Sequence, residues 1–164
     1  MLYMNLSDIF KAQVELDERI QESANQGEFK DWELKAVIAL LVELGEFANE
    51  VKLFKYWKKH KEMDREKVLE EFADGIHFLT SFSLKYKVKS TIKVTIKYQD
   101  FCQQLAYTYR LFTSLFHKKS KKLFTKAYSA YLGLGSLVNI SVNDIINSYF
   151  KKNRINHRRI DENY

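Results

Sequence analysis

No proline occurs anywhere in these 164 residues, and only five residues are glycine. Proline and glycine are the residues that most strongly stop helices and shape tight turns. A chain that lacks the first, nearly lacks the second and carries long stretches of Leu, Ala, Glu and Lys has little to interrupt a helix. The expectation is an all-α fold: a single-domain bundle of about five to six helices spanning residues 1–164, with enough chain to bury a core. Twelve Phe, ten Tyr and two Trp are more than a simple coiled coil uses, which favours a globular bundle.

Periodicity and caps divide the chain further. Residues 5–24 read as a first helix, with Ser7 as cap, apolar positions at Ile9, Phe10, Val14, Leu16 and Ile20, and Asn25-Gln26-Gly27 closing it. A second begins at Asp31 and runs to about Val51. Its residues Leu34, Ile38, Leu41, Gly45 and Ala48 form one continuous face. Because Ala36, Ala39, Leu40 and Phe47 lie on the other side, its first part is apolar all round, as in a buried helix. Leu53–Lys61, aromatic and basic together, reads as a loop. Asp64 caps a third helix to about Lys85, with Val68, Phe72, Ile76 and Leu79 facing the core. Residues 88–97 alternate apolar and polar like a strand, but no partner strand is evident, so a connector or short extended arm is expected. Helices follow over 98–116 and 120–136, the second ended by Gly133 and Gly135, and a last one starts at Ser141.

The single cysteine, Cys102, excludes an internal disulfide and any multi-cysteine zinc site, which fits a reducing cytosol. Asp8, Lys11 and Glu15 interrupt the N-terminal segment, and no run is long and apolar enough to span a membrane. A soluble cytoplasmic protein is expected. The net charge of +6 is unevenly spread: residues 1–82 hold 17 acids and 11 bases, residues 83–164 hold 4 acids and 16 bases. An acidic half suits metal ions, and a basic half suits phosphates.

The acids are the sharpest signal. Glu43, Glu46 and Glu50 interrupt one largely apolar run, and Glu71 and Asp74 interrupt another. On helices, 43, 46 and 50 point within about 60° of one another, as do 71 and 74. E-x-x-E followed by E-x-x-D on two facing helices would gather at least four carboxylates, tolerable only with hard cations. By itself E-x-x-E is also the ordinary pattern of a solvated helix face. Against that stand the apolar surroundings and the equal 28-residue separations, 43 to 71 and 46 to 74. Both readings remain open at this point. Such a pair could hold two or more Mg²⁺ ions for phosphoryl transfer, with a carboxylate taking a proton from water.

Glu43-Leu44-Gly45-Glu46 with Glu71-Phe72-Ala73-Asp74 resembles the signature of the all-α nucleoside triphosphate pyrophosphohydrolases, the MazG-like superfamily. More narrowly, the chain resembles the dimeric all-α dUTPases. Gln13-x-x-Leu16-Asp17 is similar to that family's N-terminal motif, Phe54–Lys58 to its aromatic segment, and Asp74-x-x-His77-Phe78 to its extended acidic pair. The spaced residues Tyr149, Lys152, Asn156, Arg159 and Tyr164 are similar to its C-terminal pattern. The resemblance implies Glu43, Glu46, Glu71 and Asp74 as Mg²⁺ ligands, with Glu43 or Glu46 also orienting or deprotonating the attacking water. It implies Gln13 and Trp57 for the nucleoside, and Lys152, Asn156 and Arg159 for the rest of the substrate, with the cations on phosphates. Asp17 stands where some relatives have Asn, and Glu50 lies outside the four-acid core. His77 reads as a satisfied core histidine, since Mg²⁺ prefers oxygen.

The expected activity is therefore Mg²⁺-dependent hydrolysis of dUTP to dUMP and pyrophosphate by a homodimer, whose partner subunit helps to close each site. A regulatory protein partner is compatible with it. Two alternatives stand beside it: a pyrophosphohydrolase for another nucleoside triphosphate, and a helical nucleic-acid-binding or regulatory protein using residues 118–122 and 151–159 as a basic surface. A nucleic-acid partner is the less expected.

Overall fold

A computed structural model describes residues 1–164. The chain is all-α apart from two three-residue strands. In order it forms β1 (Tyr3–Asn5), α1 (Ser7–Ser23), α2 (Gln26–Phe29), α3 (Trp32–Val51), α4 (Arg65–Tyr86), β2 (Thr91–Lys93), α5 (Phe101–Ser114), α6 (Lys121–Ser136) and α7 (Val142–Asp161). The six longer helices match the expected segments, and α2 is an added single turn. No helix is long and apolar enough to cross a membrane.

Local chemistry sets most boundaries. Asp64, Asp100, Ser120 and Ser141 each accept a backbone N–H from the first turn of α4, α5, α6 and α7. Ser141 and Asp144 form a full capping box, satisfying two otherwise orphaned donors. The start of α1 differs from expectation: Ser7 is already helical, and Asn5 Oδ1 accepts the Ser7 N–H at 3.0 Å. Asp31 makes no cap bond and pairs instead with Lys35 at 3.0 Å. Asn25, expected to close α1, also caps α2 by accepting from the N–H groups of Gly27 and Glu28.

α4 is the central element and packs against α1, α3, α6 and α7, while α5 joins α3 to α6. One cluster of 35 buried apolar residues runs through all of them. At its middle the Phe72 and Tyr131 rings stack at 4.3 Å, Phe47 meets Phe72 edge-on at 5.1 Å, and the Tyr131 hydroxyl donates to the Phe72 carbonyl at 2.8 Å.

Three further expectations are corrected. Residues 88–97 do find a strand partner: β2 pairs antiparallel with β1, Met4 opposite Ile92, and both of these side chains are buried. Gly133 and Gly135 do not end α6, which continues to Ser136. They are needed for close approach: a Cβ at 133 would lie 2.0 Å from the Thr95 carbonyl oxygen, and one at 135 would lie 2.6 Å from the Phe72 ring. Finally, α3 is not buried all round. Its buried face is Val37, Leu40, Leu44, Phe47, Ala48 and Val51. Leu34, Ile38 and Val42 are 50 %, 48 % and 53 % exposed and form an apolar stripe at i, i+4, i+8 on the opposite side. With apolar residues around the whole first half, periodicity alone could not choose the inner face.

Candidate active site

Helical spacing delivers three polar rows to one cavity of about 660 Å³. Gln13 and Asp17 lie one turn apart on α1. Asp74, His77 and Ser81 repeat at three and four residues on α4, and Lys152, Asn156 and Arg159 do so on α7. Each row therefore occupies a single helix face. Glu43 of α3 completes the acidic end of this cavity beside Asp74.

Glu43, Glu46 and Glu71 bring carboxylate oxygens within 4.8 Å of one another. Asp74 stands one turn beyond Glu71 and is held differently, as described below. Glu43 Oε2 and Glu71 Oε2 are buried with no hydrogen-bond donor. Burial pushes the Glu43 carboxyl well above its ordinary range, and Asp74 and Glu46 push it further. Glu71 is raised for the same reasons, burial first and then Glu46 and Asp74. Asp74 is raised to about 6 by burial, against the opposing pull of Lys152. Orphaned oxygens and crowded, desolvated anions are relieved together by a hard divalent cation, which takes oxygen ligands and neutralises their charge. The donor set fits Mg²⁺. Glu50 is outside the cluster of three.

Lys152 enters this acidic end from α7. Its side chain is only 10 % exposed, and Nζ lies 3.0 Å from Glu70 Oε1 and 3.4 Å from Asp74 Oδ1. Burial works against its charge, but the two carboxylates outweigh that and its pKa is raised.

The other end of the cavity is organised by Gln13, which is buried. Its Oε1 accepts from the Tyr149 hydroxyl at 2.6 Å and lies 2.9 Å from His77 Nδ1. Its Nε2 donates to Asp17 Oδ1 at 2.8 Å and to Ser81 Oγ at 3.2 Å, and Ser81 Oγ donates to the same Asp17 oxygen at 2.8 Å. Because Oε1 can only accept, His77 carries its proton on Nδ1. Its Nε2 is buried and unpartnered. Burial drives the imidazole pKa down to about 3, so the ring is neutral, and it stacks on Tyr149 at 4.3 Å. Asp17 is raised by burial, an effect that the Gln13 and Ser81 bonds only partly offset. All the hydrogen-bonding capacity of the Gln13 amide is thus used inside the protein, fixing the orientation of Asp17 and His77.

Nine of the ten sequence-derived site residues lie in this region. Gln13, Asp17, Glu43, Asp74, Lys152, Asn156 and Arg159 line the cavity, and Glu46 and Glu71 join Glu43 at its acidic end. Trp57 does not line the cavity. It lies on the α3–α4 loop, 62 % exposed, edge-on to Phe54 and Tyr56 at 6.0 and 5.3 Å. The structure adds Glu70 and Ser81. Ser81 was within reach of sequence reasoning, since it follows Asp74 and His77 at helical spacing. Glu70, beside Glu71 on an exposed turn, gave no such signal.

A sequence model of a protein family described as dUTPase matches residues 5–164 of the chain. No curated protein matches it.

Proposed function

Since the chain belongs to the dUTPase family, hydrolases acting on dUTP, we propose that it is a Mg²⁺-dependent dUTP diphosphatase that releases dUMP and pyrophosphate at the carboxylate cluster. One observation carries the site assignment: three acids on two helices converge within 4.8 Å, and two of their oxygens are buried without a donor. Glu43, Glu46, Glu71 and Asp74 would hold the metal, two or more ions per site. Bound there, Mg²⁺ neutralises phosphate charge and supplies Lewis acidity. Glu46, the exposed member of the cluster, is open to solvent and suits a role in orienting water or accepting its proton.

The remaining residues bind and orient. Lys152 and Arg159 present cations to the phosphates from the basic face of α7. Asn156 faces the same cavity and contributes polar contacts to the nucleotide. Gln13 holds the floor of the nucleoside pocket through its four bonds. Asp17, whose Oδ1 is already occupied by Gln13 and Ser81, has its other oxygen left to accept from a substrate donor. Trp57 supplies an aromatic face from outside the cavity of its own chain. A homodimer would bury the Leu34, Ile38 and Val42 stripe, since exposed apolar area of this kind marks protein interfaces, and would bring the partner subunit to the site.

A nucleotide panel tests the reading. Pyrophosphate release is expected from dUTP, with dTTP, dCTP and UTP turned over far more slowly, and only when Mg²⁺ is present. Equal turnover of all four would leave a pyrophosphohydrolase without the uracil preference. Glu46→Gln is expected to abolish turnover with an unchanged far-UV circular dichroism spectrum. Full activity in that variant would remove the carboxylate cluster from the reaction.

A further inference from the structure

Glu70 and Asp74 share one buried ammonium, and the second of them is also a candidate metal ligand. Lys152 Nζ is 3.0 Å from Glu70 and 3.4 Å from Asp74, with its side chain 10 % exposed. That burial separates it from its neighbour Lys151, which pairs with Glu66 at 3.0 Å but is 62 % exposed. A cation held this close to an acidic cluster is screened weakly by solvent, so its effect on a second cation is large.

We infer that Lys152 is an internal competitor for the metal at Asp74, and that Glu70 is the positioning residue that keeps its ammonium at hand when the metal takes that carboxylate. This rests on reading the carboxylates as metal ligands. Two cations contend for one carboxylate. Without nucleotide, Lys152 neutralises Asp74 and weakens metal binding. The triphosphate supplies a competing anion for the lysine, so nucleotide and metal favour each other's binding. Glu70 serves as the second resting place: half-exposed at 50 % and outside the clustered acids, it accepts the ammonium without using a metal ligand. The lysine thus acts as a gate on metal loading as well as a phosphate contact.

Manganese binding in the absence of nucleotide, followed by electron paramagnetic resonance, tests this without any turnover. Lys152→Met is expected to tighten Mn²⁺ binding about tenfold or more. Lys152→Arg, which keeps the charge, should stay close to wild type, and Lys151→Met should shift binding by less than about threefold because that charge is exposed. Equal shifts for Lys151→Met and Lys152→Met would reduce the effect to general electrostatics and overturn the proposal, as would no shift in Lys152→Met. Should Lys152→Met fail to fold, the wild-type chain gives a second readout. Added Mg²⁺ should raise the acetylation rate of Lys152, read by mass spectrometry, and leave Lys151 unchanged; an unchanged Lys152 would overturn the proposal. Glu46→Gln separates the two levels. If it leaves Mn²⁺ binding intact, the metal-site assignment itself fails; if it abolishes binding while Lys152→Met has no effect, only the competition fails.

Discussion

Replacing Gln13 with leucine should cost more stability than any other single change in the end of the cavity away from the clustered acids. The amide is 2 % exposed and is bonded on both sides. Leucine of similar size would leave the Tyr149 hydroxyl and the His77 Nδ1–H without their acceptor. Each orphaned buried donor costs about 1–3 kcal/mol, so the two together cost about 2–6 kcal/mol. Better apolar burial offsets about 1 kcal/mol of this. Tyr149→Phe is the informative contrast. It removes one donor but leaves Gln13 Oε1 with His77, so Gln13 keeps a partner and the cost falls to about 1 kcal/mol. In the double variant the tyrosine hydroxyl is no longer stranded, so the two changes should cost less than their sum. Urea unfolding followed by far-UV circular dichroism measures all three. If Gln13→Leu is no more destabilising than Tyr149→Phe, or the two are additive, the network does not hold the cavity floor as described.

Two further outcomes follow from other parts of the molecule. Gly133→Ala should destabilise by about 1–3 kcal/mol, because its Cβ would meet a backbone carbonyl at 2.0 Å rather than a yielding side chain; a thermal melt equal to wild type would contradict that packing. Without divalent cation, stability should fall as pH rises from 6.5 to about 8. The sign comes from Glu43 and Glu71, held near 8 and near 7 against an ordinary 4.5, so the folded state binds more protons across that interval. His77 acts oppositely, but only between about 3 and 6.5, so its contribution is complete above the window. Mg²⁺ and Glu43→Gln should each flatten the slope, and a slope of opposite sign in chemical denaturation would refute the assignment.

How much of this was legible depended on whether a feature repeats. Two i, i+3 acidic pairs at equal separation announce themselves, and Glu43, Glu46 and Glu71 do meet. The caps at Asp64 and Ser141 were readable because an N-cap is a local bond. The caps expected at Ser7 and Asp31 failed even so, because Asn5 takes the first role and Lys35 engages Asp31; the other failures were non-local or too short. Tyr3–Asn5 is three residues and offers no alternation, so the partner of residues 91–93 could not be seen. Gly133 and Gly135 look like terminators until Thr95 and Phe72 are known to press on them. The aliphatic belt of α3 hid which side faces in, leaving Leu34 and Ile38 outside. Three of the four bonds of Gln13 reach 64 to 136 residues along the chain, beyond any pattern in one sequence.

Those long reaches also govern the order of assembly. Asn5 pairs with Thr91, and Gln13 on α1 waits for Tyr149 on α7. During synthesis β1 emerges early yet cannot pair until β2 exists, and the cavity face of α1 cannot close until α7 is made. Contacts this distant form slowly. The cavity between α1, α4 and α7 should therefore be among the last features to appear on refolding, after α3 and α4 have joined. A chain halted before α7 would carry the clustered glutamates without the cavity wall that Lys152, Asn156 and Arg159 provide.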